Sequence, residues 1–581
     1  MNGYLRNRKE KSVNIFLKNL LSIFTTIFVI TLVLNLFFKQ IVLHYSLDDL
    51  YRKKSSIKFF DKAERGLIKD RKGYVIATNI NSYNIYVSKK LVKNKENVAR
   101  ILSENSIVDY HTALKKLNSR KEWIPIKFNV DESIALKLKN RYPSIIVKEE
   151  KTRYYNKPEV FSNVVGFVGI DDTGLEGIEY KYDKILKGKN GYITYQKKPN
   201  GKIYKHPLNE DKPAKKGKDI ILTLDYRFQE TCYNVAKEYC ERFSAKKALV
   251  IVLESKTGEI FAMAEYPSYN SNLHGLGDIS TYQNYGAINL FEPGSVFKIV
   301  VTAAAIEAGI DTSIILKKED EDTLIISKRR ITDSHNFGKL NFKESFIVSS
   351  NIAFVNLGKE VGKEKVYSMI KRFKFLSKTY SGFPGEQSGQ ITPLEKCREI
   401  NFANLCFGQG ISVTALQLVA AYNSIANDGI YINPKIIKEI DNRTTEKNIK
   451  EKILQKNVAL KLKELLLYVV ENGTGIKAKV DGIKIAGKTG TAEKYIENMG
   501  YKKGYYISSF VGFFPADDPE FTILTLLDEP KNQYWASETA APMFSDVLKR
   551  IINLDDYRFL VEKNKDREII ENGTKRFAKR S

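Results

Sequence analysis

The chain has 581 residues, enough for roughly two to four domains, and its 43% hydrophobic content permits full cores, which excludes a disordered scaffold. A formal charge of +26 invites a nucleic-acid reading, yet the lysines are spread among acids without a nucleic-acid motif or aromatic stacking pattern. No nucleic-acid partner is expected; the charge suits an anionic membrane surface or wall polymer, or reflects a lysine-biased composition.

In chain order, the first element is Asn19 to Phe38, an uncharged apolar run of the length that crosses a bilayer as a helix. Arg6, Arg8, Lys9, Lys11 and Lys18 precede it against a single Glu10, so the positive-inside rule expects residues 1–18 in the cytoplasm and the rest outside. Asn35 to Ile41 lacks the small-x-small pattern of a cleavage site, which favours a retained single-pass anchor over a signal peptide. Residues 39–60 read as a connector, and 61–210 as a mixed strand and helix region. The cluster Lys212 to Lys218, with Pro213 and Gly217, reads as a linker. Residues 219–556 form one α/β (α+β) domain, and the basic end, 557–581, is a solvated tail. Cys232 and Cys240 fall on one predicted helix about 12 Å apart by its rise, too far to bridge each other. With Cys397 and Cys406 they read as buried thiols.

Within the large domain, Leu249 to Leu253 and Ile260 to Ala264 are apolar segments joined by Lys256-Thr257-Gly258, a hairpin turn. Glu292-Pro293-Gly294 then opens an apolar helix from Val296 to Ala308 that stops at Gly309. Ser295 sits in its first turn, where unpaired N–H groups and the dipole favour a nearby oxyanion. Lys298 lies one turn on among Phe297, Ile299, Val300 and Val301, so desolvation lowers its pKa and lets it take the serine proton. Ser349-Ser350-Asn351 joins two apolar patterns, Phe342 to Val348 and Ile352 to Leu357, and aims Ser349 and Asn351 from a tight connection. Lys488-Thr489-Gly490-Thr491 follows the short strand pattern Val480 to Gly487 and presents a cation, hydroxyls and backbone N–H groups to a carboxylate. The bland alternatives are a cap with a snorkelling lysine at Ser295 and Lys298, and an ST-turn at Ser349.

The five histidines (His44, His111, His206, His274, His335) have no ligand spacing, so no metal and no cofactor are expected. His335 alone is near the motifs, and reads as a satisfied or surface histidine.

S-x-x-K, a serine-asparagine string and K-T-G in this order resemble the penicillin-binding proteins and β-lactamases. Arg65 to Gly73, Val165 to Gly169 with Gly174 to Glu179, Leu222 to Asp225, Phe407 to Gly410 with Thr414 to Gln417, and Ser509 to Pro515 extend the resemblance over residues 60–550. The chain resembles a class B penicillin-binding protein, a monofunctional peptidoglycan D,D-transpeptidase. Tyr501 to Phe510, Asp528 to Pro530 and Ala540 to Pro542 look more like the division type than the elongation type.

The resemblance implies an elongated pedestal domain over 61–210 and a transpeptidase domain over 219–556, whose central antiparallel sheet is sandwiched by helices. It implies catalysis by Ser295, Lys298, Ser349, Asn351 and Lys488, with Thr489, Gly490 and Thr491 binding substrate. Ser295 attacks a D-Ala-D-Ala stem peptide, an amine of a neighbouring stem resolves the acyl-enzyme, and β-lactams acylate the same serine. A membrane glycan polymerase and division-machinery proteins are implied partners. A β-lactamase, a β-lactam sensor and a non-enzymatic scaffold are the alternatives; no residue here reads as a deacylation base, and about 18 residues leave no room for an inner signalling module. Arg65 and Arg71 with Glu176 and Glu179 are expected to form a charge-paired hub, against the alternative of four solvated charges.

Overall fold

The computed structural model describes residues 2–557 except 140, 199, 206–209, 274–277, 446–447 and 497–499; the side chains of residues 2–10, 44, 47–48, 52–53, 129 and 555 are also outside the description. His206, His274, the tail beyond 557 and the charges of Arg6, Arg8, Lys9 and Glu10 therefore lie outside the described residues.

Two compact units emerge, the first built from residues 1–63 and 189–215. Its leading helix contains an apolar stretch, Lys11–Val42, of 32 residues, long enough to span a membrane. A second helix, His44–Ser55, leads into an antiparallel sheet of Ser56–Asp61, Gly191–Lys197 and Ile203–Tyr204.

The second unit spans 64–188 and 216–581. Its five-stranded antiparallel sheet runs Ile260–Tyr266, Lys247–Glu254, Phe521–Asp528, Gly500–Phe514, Ala486–Ile496. Side chains alternate across the sheet, and both faces are covered. Leu249, Ile251 and Leu253 join a core with the helices Lys298–Glu307, Ala415–Ala426 and Lys456–Asn472. Ala248, Val250 and Val252 join another with Tyr226–Arg242 and Ala540–Ile552. The alternation makes this an α/β sandwich with a central antiparallel sheet between helices.

Another sheet orders Arg443–Thr444, Ile437–Ile440, Ile220–Leu222, Ile68–Lys69, Val75–Ser88 and Trp123–Val130, with Ile145–Tyr155 also on Val75–Ser88. It mixes strands from both sides of the expected linker. That segment is not loose chain: Lys212 exchanges backbone hydrogen bonds with Tyr192 within the first unit, and Gly217 N–H donates to Glu64 O at 2.8 Å within the second.

Lys256-Thr257-Gly258 is the turn between Lys247–Glu254 and Ile260–Tyr266, with Gly258 at φ +73°. The four cysteines are buried free thiols.

The hub exists with different members. Arg65 and Glu179, 1% and 0% exposed, pair at 2.6 Å, and Arg153 Nε reaches the other Glu179 oxygen at 2.7 Å. Asp183 takes a second Arg65 nitrogen at 2.7 Å. Arg71 instead pairs with Glu259 at 3.2 Å and covers the Phe261 ring at 3.8 Å, while Glu176 stays half-buried at the start of Gly177–Lys181.

Candidate active site

A cavity of about 900 Å³ is lined by Ser295, Ser349, Asn351, Thr489 and Thr491, so all three strings converge on one place. Ser295 is carried on a 3₁₀ turn, Gly294–Phe297, that runs directly into the helix Lys298–Glu307. Residues three apart eclipse in a 3₁₀ turn, which puts Lys298 on the serine's side. Gly294 is needed at the entry: its φ is +60°, and a Cβ there would sit 3.0 Å from that of Ala492. The turn is pinned from behind by the buried Tyr422 hydroxyl, which donates to Val296 O at 2.8 Å.

Ser349 occupies the left-handed region at φ +66°, between the helices Phe342–Val348 and Asn351–Val361. That conformation costs energy for a side chain with a Cβ and is held by its surroundings. Ser350 caps the second helix by accepting from Ala353 N–H. The hold comes from Asp333, whose carboxylate accepts from Ser350 Oγ at 2.7 Å, Asn351 N–H at 2.5 Å and Ile352 N–H at 3.2 Å. Asp333 has no short-range signal in sequence, because its partners are 17 to 19 residues away.

Both lysines lie behind the cavity wall, 0% exposed. Lys298 Nζ has three partners, Ser349 O at 2.6 Å, Asn351 Oδ1 at 2.9 Å and Ser349 Oγ at 3.2 Å; a neutral amine donates to the first two and can accept from the hydroxyl. Lys488 Nζ donates to the same Ser349 hydroxyl at 2.9 Å and to Thr489 O at 3.3 Å. Burial, then repulsion from Lys488, pushes Lys298 well below the ordinary lysine pKa, with Asp333 opposing. Burial lowers Lys488 to about 7. The rings of Phe354 and Phe346, 5.1 and 6.0 Å from the two ammonium groups, offer only partial compensation.

The third string lies on the edge strand Ala486–Ile496. Thr489 and Thr491 are two apart, share one face, and both line the cavity. Thr489 Oγ1 is 2.6 Å from that of Thr474, and Thr491 Oγ1 accepts from Ala536 N–H at 3.0 Å. Gly490 points away: a Cβ there would be 2.9 Å from each of Pro293 O, Ser509 Oγ and Val296 Cγ1. Its missing side chain lets the edge strand lie directly on the serine turn. His335 is an exposed residue on the cavity rim, 3.1 Å from Ser334 Oγ. No cluster of metal-ligating side chains occurs among the described residues.

Two family models match the chain: penicillin binding protein transpeptidase domain over residues 248–549 and penicillin-binding protein dimerisation domain over 60–222. A probable peptidoglycan D,D-transpeptidase PenA of Neisseria meningitidis is 30% identical, covering 85% of this chain and 84% of the relative. A peptidoglycan D,D-transpeptidase FtsI of Buchnera aphidicola is 30% identical over 84% and 86%. The crystal structure of penicillin binding protein 3 from Mycobacterium tuberculosis complexed with aztreonam is similar at TM-score 0.65 and 25% identity, covering 86% of this chain and 97% of that one.

Proposed function

The chain belongs to the class B penicillin-binding proteins, the monofunctional peptidoglycan D,D-transpeptidases, and from that premise we propose how its residues divide the reaction. Ser295 Oγ attacks the carbonyl between two D-alanines of a stem peptide while Lys298, held toward neutrality, takes the hydroxyl proton. The backbone N–H groups of Ser295 and Thr491 stabilise the oxyanion. As the C–N bond breaks, the Ser349 hydroxyl, backed by Lys488, passes a proton to the departing D-alanine nitrogen and is reprotonated from the lysine pair. Asn351 holds the peptide backbone. The Thr491 hydroxyl, whose oxygen already accepts from Ala536, donates its proton with Thr489 to the terminal carboxylate. Lys488 acts on that carboxylate through its field from behind the wall, and Gly490 acts by allowing close packing. An amine of a second stem then attacks the ester, forming the crosslink and returning the proton to Ser295. β-Lactams enter the first step as substrate mimics.

The observation that carries this reading is the Ser349 hydroxyl: two buried lysines meet on it at 3.2 and 2.9 Å, in the wall shared with Ser295. Labelling with a fluorescent penicillin tests it. Wild type is expected to form a covalent adduct and Ser295→Ala none; a labelled Ser295→Ala chain overturns the assignment. Crosslinked dimers from lipid-linked glycan precursors separate a transpeptidase from a β-lactamase, which would hydrolyse penicillin, and from a scaffold, which would do neither.

The apolar N-terminal helix is a membrane anchor, and we read 1–18 as cytoplasmic, 61–210 as the pedestal and 219–556 as an extracytoplasmic catalytic domain. A septal role fits the relatives named FtsI, and depletion should then give filaments, whereas rounded cells would indicate elongation. No glycosyltransferase domain fits in 61–210, so a membrane glycan polymerase and division proteins are the partners this reading requires.

A further inference from the structure

Glu292 stands three residues before the nucleophile and is the meeting point of three segments. Its Oε1 accepts from Gly410 N–H at 2.8 Å, and its two oxygens accept from the Tyr501 hydroxyl at 2.9 and 3.0 Å. Beside it, Gly294 N–H donates to Gly408 O at 3.0 Å, so the turn Phe407 to Gly410 is sewn to the serine turn twice.

Tyr501 comes from the hairpin that extends the third string. The ladder between Ala486–Ile496 and Gly500–Phe514 is regular from Ala486 through Glu493, then shifts register before Tyr495 pairs with Tyr501. A bulge of this kind bends a strand and breaks the mechanical continuity of its ladder. The outer hairpin is thus tied to the domain through Tyr501, which grips Glu292, with the Tyr495 ring edge-on at 5.6 Å. Glu493, on the same strand two residues past Thr491, lines the cavity.

The clasp therefore closes a short loop of structure: Glu292 to Ser295 along the chain, Gly490 packed on Pro293 and Val296, Thr491 and Glu493 along the edge strand, and Tyr501 back to Glu292. Neither clasp residue touches the reacting atoms as described. We propose that Tyr501 and Glu292 are positioning residues for acylation, fixing the edge strand that carries Thr491 against the turn that carries Ser295. The proposal rests on the reading of Ser295 as nucleophile. Oxyanion donors work only if preorganised within fractions of an ångström, so a loosened strand costs the chemical step rather than binding.

The test is stopped-flow acylation of the full-length, detergent-solubilised chain by a fluorescent penicillin, with concentration dependence separating the half-saturating concentration from the first-order acylation constant. Tyr501→Phe removes one hydroxyl and should lower that constant about 5- to 10-fold, the net worth of an ordinary, solvent-exposed hydrogen bond, with half-saturation unchanged. Glu292→Ala, which also loses the Gly410 bond, should cost at least as much, the double variant should add nothing to Glu292→Ala, and Glu292→Gln, whose amide oxygen still accepts from Tyr501, should recover most of the loss. Tyr495→Phe, on the same hairpin without the grip on Glu292, should behave as wild type. If Tyr501→Phe keeps the wild-type constant, loses only affinity, or loses only thermal stability, the clasp is not a positioning device. Ser295→Ala runs alongside: covalent labelling of that variant defeats the site reading itself, whereas its silence beside a normal Tyr501→Phe defeats the clasp alone.

Discussion

The same tripeptide occurs twice in this chain, and its two copies have opposite chemistry. At Lys256-Thr257-Gly258 the lysine side chain is 52% exposed and is answered by Asp518 at 3.1 Å and Glu520 at 3.3 Å. Its slight burial lowers the pKa, but the two carboxylates outweigh that and raise it. At Lys488-Thr489-Gly490 the lysine is fully buried, no carboxylate among the described residues pairs with it, and its partners are the Ser349 hydroxyl and Thr489 O. Burial alone brings it to about 7. The hairpin copy is a solvated turn whose glycine supplies a positive φ; the edge-strand copy withholds compensation from a cation so that it titrates in the working range. The buried hub is a third arrangement, in which Arg65 pairs with Glu179 and Asp183 and Arg153 pairs with Glu179, although one Arg153 nitrogen is buried without a hydrogen-bond partner. On the proposed mechanism, unanswered buried cations mark chemistry here, and answered ones mark architecture.

The largest effect that would break this contrast is at Lys298. Lys298→Arg keeps a cation but installs a group that does not deprotonate in proteins. Acylation by fluorescent penicillin should fall about 10³-fold, within the range for loss of a general base. The melting temperature should not fall correspondingly. Near-normal acylation would mean that a permanent cation suffices and that withholding a partner has no catalytic purpose.

Glu179→Ala is the converse. It leaves Arg65 and Arg153 buried without their shared carboxylate, which should cost about 3–5 kcal/mol of unfolding free energy in denaturant titration. Molecules that remain folded should acylate at close to the wild-type rate. A stable variant with lost acylation would make the hub part of the catalytic apparatus and erase the distinction.

What the sequence made legible follows the same division. The strings with Ser295, Lys298, Ser349, Asn351 and the edge-strand copy of K-T-G, which the fold brings together at one cavity, could be picked out because each depends on neighbours in the chain: a helix start, an apolar flank, a tight connection, a strand edge. The hairpin copy was separable for the same reason. Asp333 was not, since its work is done through a loop folded back on Ser350 and Asn351, and Glu292 with Tyr501 joins positions 209 residues apart. The hub shows the boundary. Arg65 and Glu179 were named from motif recurrence, but Arg153 enters from the strand Ile145–Tyr155 through pairing with Val75–Ser88, and nothing local distinguishes Arg71 from Arg65. The segment 212–218 does contain a boundary between the two compact units, at 215/216, but it is hydrogen-bonded chain, and Gly217 serves a close backbone approach to Leu186 rather than flexibility.

Lys488→Met should be stabilising in a pH-dependent way. In the folded chain Lys488 loses its proton near pH 7, whereas in the unfolded chain it holds it to about pH 10.4. Between those values the unfolded state binds more protons, so wild-type stability rises with pH. The cost of burying the charge is complete below about pH 7 and gone above about pH 10. The melting-temperature advantage of Lys488→Met should therefore be greatest at neutral or lower pH and shrink toward pH 10. A constant advantage would show that Lys488 is not carrying an unanswered charge.

The smallest effect belongs to the hairpin copy and completes the comparison. Lys256→Ala removes an exposed pair with Asp518 and Glu520, interactions that are screened by water and salt and cost side-chain entropy to hold. The change in unfolding free energy should be about 0.2–1 kcal/mol, smaller still in high salt. The acylation constant should be that of wild type, because neither Lys256 nor its partners line the cavity with Ser295. An acylation defect would mean that the hairpin turn reaches the site through the strand Lys247–Glu254, and that a lysine's own surroundings do not suffice to tell the two copies apart.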